Sequence, residues 1–345
     1  MSTLTRVVGV FVCGLFCGAG IATVLFPFLS KRSARTIFQE EIRSSPRLRS
    51  ECLAGKTVVA IEEIGANRLL LGTAGEGLWQ FDPSAHKAKR VIDDLGRPTV
   101  GAITCILRGN EFTFAATFEG QEYWLKPNAV VAGPVAYAPY YACDGTSEEE
   151  YVVALWRGLA FWSARERQTP WFALRFKPAL LETGITSVVF TGKNELAWSR
   201  ADGGVFRGRL NEEKVVQCET LPSLPAGVNS LAWLATGRKL FATHLDRSFE
   251  LDGGAWRPIP GRGNYPLKVV SCKHVVGQGC WVVSGGALGV LRSDGSTEWL
   301  FDDFPFIPVV AYADPRSGRI FVGTVGAGLV SFPMGPTGQT DADEK

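Results

Sequence analysis

The sequence predicts an all-β fold, a seven-bladed β-propeller preceded by a single N-terminal transmembrane helix. Three observations carry the prediction. A stretch near the start, Leu69-Leu70-Leu71-Gly72-Thr73-Ala74-Gly75-Glu76-Gly77-Leu78, has an echo near the end, Arg319-Ile320-Phe321-Val322-Gly323-Thr324-Val325-Gly326-Ala327-Gly328-Leu329. Both read as an apolar strand, a Gly-Thr-x-Gly-x-Gly turn and a second strand, as distant copies of one repeat would. Short apolar runs recur between them at near-constant spacing. Finally, residues 7–29 contain no charge.

That apolar segment comes first in the chain, after a flank of residues 1–6. As a helix its 23 residues would span roughly 35 Å, against a bilayer core of about 30 Å. A cleaved signal peptide is the rival reading. Gly18-Ala19-Gly20 offers small residues for cleavage, but the apolar run continues to Leu25-Phe26 beyond them, whereas a signal peptide ends its apolar region at the cleavage site. The segment is therefore read as an uncleaved anchor, giving a single-pass membrane protein. Only Arg6 precedes it, while Lys31, Arg32 and Arg35 follow. The positive-inside rule then leans toward a cytoplasmic domain, with export of the long domain as the alternative. Residues 30–56 form a basic juxtamembrane linker.

From residue 57 to 333 no amphipathic helix is legible, only short apolar runs divided by Gly, Pro, Asn and Asp. Seven four-residue starts align: Val58–Ile61, Ile103–Ile106, Tyr140–Cys143, Ile185–Val188, Val228–Leu231, Val269–Cys272 and Val309–Tyr312. Their mean spacing of about 42 residues matches a four-stranded propeller blade. The third position is always small: Ala60, Cys105, Ala142, Ser187, Ser230, Ser271 and Ala311. Strands crowding a central axis require this. Fourth strands are clearest at Lys89–Ile92, Val215–Cys218 and Thr297–Phe301. The last repeat shows only three strands, so a strand from upstream, at Thr36–Ile42 or nearby, is expected to close the ring and remove its open edges. Residues 334–345 read as a disordered polar tail.

Leu71-Gly72-Thr73-x-Gly75-x-Gly77-Leu78-x-x-Phe81-Asp82 resembles the repeat of the two-component-regulator propellers, the sensory domains of some bacterial hybrid kinases. The match is good at 69–82 and 319–332 and partial at Ser284–Leu291. No kinase or receiver sequence follows. The resemblance implies a propeller fold and, beyond it, a sensory role.

Several chemistries are excluded or disfavoured. A net charge of +2 gives no reason to expect nucleic acid. Gly72–Gly77 is not a phosphate loop, because a strand pattern rather than a helix follows and no Gly-Lys-Ser/Thr is present. No cofactor is expected. Cys105, Cys143 and Cys272 occupy repeat positions that other copies fill with small or apolar residues, as buried free thiols do. If the hairpin before Cys280 turns at Gly277–Gly279, Cys272 lies about 10–13 Å from Cys280 at ~3.3 Å per residue. That distance excludes a disulfide and disfavours one metal centre, so neither is expected in the propeller. With three histidines, His86, His244 and His274, and no nucleophile elbow, no catalytic residue is assigned.

Function is then expected at the loops between second and third strands, which converge on one face. They carry Glu76, Glu119, Arg157, Arg200, Asp202, His244, Asp246 and Arg247. The reading is a membrane-anchored sensory or scaffold module that binds a protein partner or a small polar ligand at this ring. The alternative is a propeller enzyme of the lyase or hydrolase type, which would place Asp, Glu and His within hydrogen-bond reach of each other at the channel mouth.

Overall fold

The computed structural model describes residues 45, 47–65, 67–127, 129–133, 139–146, 150–163, 172–177, 184–224, 227–275 and 278–335. The described chain is β-strand with one short 3-10 turn, Ala235–Gly237. Each of the seven starts lies in, or leads into, an inner strand. Neighbouring inner strands pack around one axis in chain order, and 308–314 returns to 58–63.

Hydrogen bonding does not divide these strands into seven separate blades, and the expected count is corrected. Five sheets stand alone. They are built on inner strands 140–145, 185–192, 230–234, 268–271 and 308–314, with four strands each except for five in the second. Residues 58–132 instead form one eight-stranded sheet. It is joined where Ala74 and Gly75 pair with Ala102 and Gly101. The cause is local. Gly101 has φ +93°, and a Cβ there would lie 2.7 Å from the Glu119 carboxylate. Glycines facing each other leave no side chain to hold the two strand sets apart.

The repeated Gly-Thr motif is a packing device. A Cβ on Gly72 would fall 2.6 Å from Ile103 on the following inner strand, and one on Gly323 would fall 2.7 Å from the Val58 carbonyl. The threonine then locks its hairpin. Thr73 Oγ1 donates to the Gly77 carbonyl at 2.9 Å, and Thr324 Oγ1 donates to that of Gly328 at the same distance. In the second repeat buried Thr117 holds the same position, its hydroxyl accepting from Gln121 N at 3.0 Å.

The ring is closed by Arg49–Cys52, which pairs with Gly328–Pro333. This strand lies within 30–56 but downstream of Thr36–Ile42, and those residues fall outside the described ones. Glu51 in the closing strand is buried. It accepts a hydrogen bond from Ser331 and contacts His86 Nδ1 at 2.6 Å, so it ties the last sheet to the first.

Two further expectations are corrected. Among the described residues no helix is long and apolar enough to cross a membrane. The 7–29 segment lies outside them. Cys272 and Cys280 form a disulfide with Cα atoms 3.9 Å apart. The register formed differs from the one expected with a turn at Gly277–Gly279. Ser271 pairs with Trp281, so Cys272 and Cys280 face each other at the base of a wider loop. Among the described residues, Cys52, Cys105, Cys143 and Cys218 form no disulfide.

Candidate functional site: a floored central channel

The inner strands enclose a cavity of about 700 Å³. Its walls owe their room to the small third-position residues, of which Ala60, Cys105, Ala142, Ser187, Ser230 and Ser271 all line it. The hydroxyls of Thr104 and Thr186 join them, with Tyr141 near one end. At the opposite end the strands run into the loops joining first and second strands, and there the lining becomes charged.

Four side chains pair off at this end, which Glu150 and Lys193 also line. Lys273 Nζ lies 2.7 Å from Asp144 Oδ1, and His274 Nε2 lies 3.2 Å from Glu62 Oε2. Lys273 follows inner strand 268–271, while Asp144 belongs to 140–145. These strands are not neighbours in the ring, so the ion pair crosses the channel. The His274–Glu62 contact likewise passes over the intervening strand 308–314. Two features hold Lys273 and His274 in place. The disulfide fixes the base of their loop, and the His274 carbonyl accepts from Ala313 N at 2.9 Å and Trp281 Nε1 at 3.3 Å. The His274 ring packs 5.0 Å from that of Tyr312. Asp144 is fixed from its own side by Phe190 N, which donates to Oδ2 at 2.8 Å.

This geometry sets the protonation states. Burial works against a charge on Lys273, but Asp144, and more weakly Glu62, hold its pKa above the ordinary lysine value. Half of the Lys273 side chain is solvent-accessible. Lys273 also lines the cavity, so its wetted ammonium faces the other channel groups. Burial, followed by the adjacent Cys105 thiol, pushes Cys143 well above the ordinary thiol range despite the pull of Lys273. Lys273 is thus a fixed cation and Cys143 a neutral thiol. Among the described residues no three His, Cys, Asp or Glu side chains gather as metal ligands.

The ring expected from sequence sits at the other end of the strands and contributes nothing to the cavity lining. Its members are partnered locally or point outward. Glu76 pairs with Lys56, Glu119 accepts from Ala102 N at 3.0 Å, and Arg200 pairs with Asp202 at 2.6 Å. His244 Nδ1 meets the Gly227 carbonyl. Arg157, Asp246 and Arg247 are exposed on their turns. Beside them lies an aromatic step that the sequence reading passed over. Phe118 and Trp156 are exposed and pack on Tyr141 with ring centroids 5.6 and 5.8 Å away.

The floor residues were missed as well, although a signal existed. Glu62, Asp144 and Lys273 each directly follow a start, where the other four copies have Leu107, Val189, Ala232 and Ala313. A charge at an inner-strand position that is otherwise apolar is the mark of a channel group.

Comparison with solved structures agrees with this architecture. The extracellular domain of a protein described as a hybrid two component system, BT3049 from B. thetaiotaomicron, superposes over 84% of this chain with TM-score 0.62 at 13% identity. The corresponding domain of BT4673 from the same organism does so over 83%, with TM-score 0.58 at 14% identity. PorZ, a surface component of the type-IX secretion system of Porphyromonas gingivalis, matches over 84% with TM-score 0.59 at 13% identity. The chain spans about two fifths of each, 41%, 39% and 38% respectively. Likeness at this identity establishes the fold. The chain is a β-propeller with a fold-level resemblance to the sensory propellers of two-component-type regulators. No family model matches it, and no curated protein does. The solved two-component neighbours are extracellular domains. For this chain, no described helix is long and apolar enough to cross a membrane, so the expected single-pass membrane localisation is not supported.

Proposed function

We propose that the chain is a ligand-binding module that takes a small polar molecule into its central channel. One observation carries the reading. A cavity of about 700 Å³ ends in charged groups from three separate inner-strand regions, Glu62, Asp144 and Lys273–His274. Polar groups converging in a concave, pre-formed site are the usual substance of a small-molecule site. Lys273 is held protonated, which suits fixed electrostatic recognition better than proton abstraction. The ring of Glu76, Glu119, Arg157, Arg200, Asp202, His244, Asp246 and Arg247 surrounds the other end of the channel and serves as the approach, with the Phe118–Tyr141–Trp156 step beside it. The fold neighbours include a regulator's extracellular domain and a secretion component, and a sensory or scaffold role fits both. Screening a library of polar metabolites by thermal shift tests the reading. At least one compound should stabilise the wild type and lose that effect in Lys273→Met. A library that stabilises neither protein overturns it.

A second reading rests on the 3.2 Å His274–Glu62 contact. A histidine oriented by a carboxylate inside a cavity is the arrangement of a general base. The enzyme reading requires turnover of some ester, glycoside or lyase substrate that His274→Gln abolishes while the fold is kept. Binding without turnover removes it.

A further inference from the structure

We infer that the channel ligand is a compact zwitterion of the α-amino-acid type, with its carboxylate on Lys273 and its ammonium on Asp144. The inference rests on the binding reading above and specifies its chemistry.

The argument begins with charge balance at the floor. Lys273 is cationic, Asp144 and Glu62 are carboxylates, His274 faces Glu62, and the lining adds one further charge of each sign, Lys193 and Glu150. A ligand with only an anion would gain Lys273 but meet two carboxylates in a confined space. One with only a cation would gain Asp144 but meet the Lys273 ammonium. A molecule bearing both signs avoids both penalties. It inserts into the Lys273–Asp144 pair and replaces one ion pair by two.

Geometry narrows the class. Lys273 Nζ and Asp144 Oδ1 are 2.7 Å apart, so they can part only modestly around a guest. The guest's ammonium and carboxylate must therefore lie close together, as on a single carbon, and not at the ends of a long chain. Asp144 is prepared for the exchange, since Phe190 N holds its other oxygen and keeps the carboxylate in place when Lys273 moves. Lys273 retains donors, because an ammonium has three and Asp144 uses one. Above the floor, the small residues Ala60, Ala142, Ser187 and Ser230 leave space for the guest's side chain.

Isothermal titration calorimetry with three probes tests the inference: free L-leucine, L-leucine amide, which is only a cation, and N-acetyl-L-leucine, which is only an anion. The twenty free amino acids are titrated first, and the best binder replaces leucine in all three forms. The free amino acid should bind at least tenfold more tightly than either capped form. Asp144→Asn keeps the acceptor for Phe190 N and should shift preference toward the acetylated probe. Lys273→Met should shift it toward the amide. Capped and free forms of equal affinity, variants that weaken all probes alike, or twenty amino acids without heat would each overturn the class. In the last case, a hit in the polar-metabolite screen would leave the channel site standing, and silence there would remove both.

Discussion

The two ends of the propeller use charge in opposite ways. On the loop face, Arg200 pairs with Asp202 on its own turn, and Glu76 with Lys56 nearby. At the channel floor, Lys273 reaches a non-neighbouring sheet, and His274 contacts Glu62 from 212 residues away in sequence. Pairs on one turn follow from turn chemistry. They are exposed, and such pairs contribute about 0–1 kcal/mol. Pairs across the channel exist only because the fold brings them together, and they close one end of it. Charge at the rim is thus settled locally, while charge at the floor is gathered by the fold.

The strongest test removes the staple beneath the floor. Replacing Cys272 and Cys280 together by Ser frees a loop whose ends are 8 residues apart. By the loop-entropy relation this should cost about 2–3 kcal/mol in urea unfolding. It should also unseat Lys273 and His274. Cys143 lines the cavity beside Lys273, so maleimide labelling followed by peptide mapping reads the opening directly. Labelling of Cys143 should become several-fold faster in the double variant. Equal rates would mean that the loop does not seal the channel.

A somewhat smaller effect is expected from Asp144→Ala. It leaves Lys273 without its carboxylate and Phe190 N without an acceptor. The loss should be about 2 kcal/mol, less than for a fully enclosed pair because half of Lys273 meets channel water. The pH dependence of the pair is set by Lys273. Its folded pKa lies above its unfolded value, so its contribution is complete below the ordinary lysine pKa of about 10.4 and is lost as pH rises through the folded value. The stability gap between wild type and Lys273→Met should stay level from pH 6 to 9 and shrink only in stronger base. A gap that closes near neutrality would show the ammonium is not held as described.

A third test compares Asp144 with a buried carboxylate that has no cation. Glu122 is buried among Tyr140 and Trp124, both of which donate to it. Burial outweighs those hydrogen bonds and raises its pKa. A carboxyl with a raised folded pKa stabilises the fold below its unfolded pKa and loses that contribution as pH rises through the folded value. At pH 7 its charge is therefore a cost. Glu122→Gln keeps the acceptor and should raise Tm by roughly 1–3 °C at pH 7, with the gain vanishing below about pH 4. A gain that persists in acid would point to packing instead of charge.

How far the sequence could be read follows the same division. Starts, hairpin turns and the Gly-Thr motif are local patterns, and the structure gives each a local reason, such as Gly72 against Ile103. What failed depended on distance or register. The Cys272–Cys280 bond required knowing that Ser271 faces Trp281. The fused sheet required knowing that Gly75 meets Gly101. The floor required knowing which sheets face each other across the axis, although Glu62, Asp144 and Lys273 already shared one repeat position.

The smallest expected effect is the most direct check on the contrast between the two ends. Replacing Glu76, Glu119, Arg157 and Asp202 together by Ala removes charges of both signs from the loop face. Each is at least partly exposed, and none lies in the apolar core. The losses that matter structurally are the Glu76–Lys56 and Arg200–Asp202 pairs and the acceptors for Ala102 N and Gly204 N. These lie at the loop face, within reach of water. The four changes should together cost no more than about 1–2 kcal/mol, comparable to or less than Asp144→Ala alone. The quadruple variant should also keep its affinity for any solute that depends on Lys273, within a few-fold, because none of the four lines the cavity. If it loses that solute as completely as Lys273→Met does, the rim is part of the site and the division between a passive rim and an active floor fails.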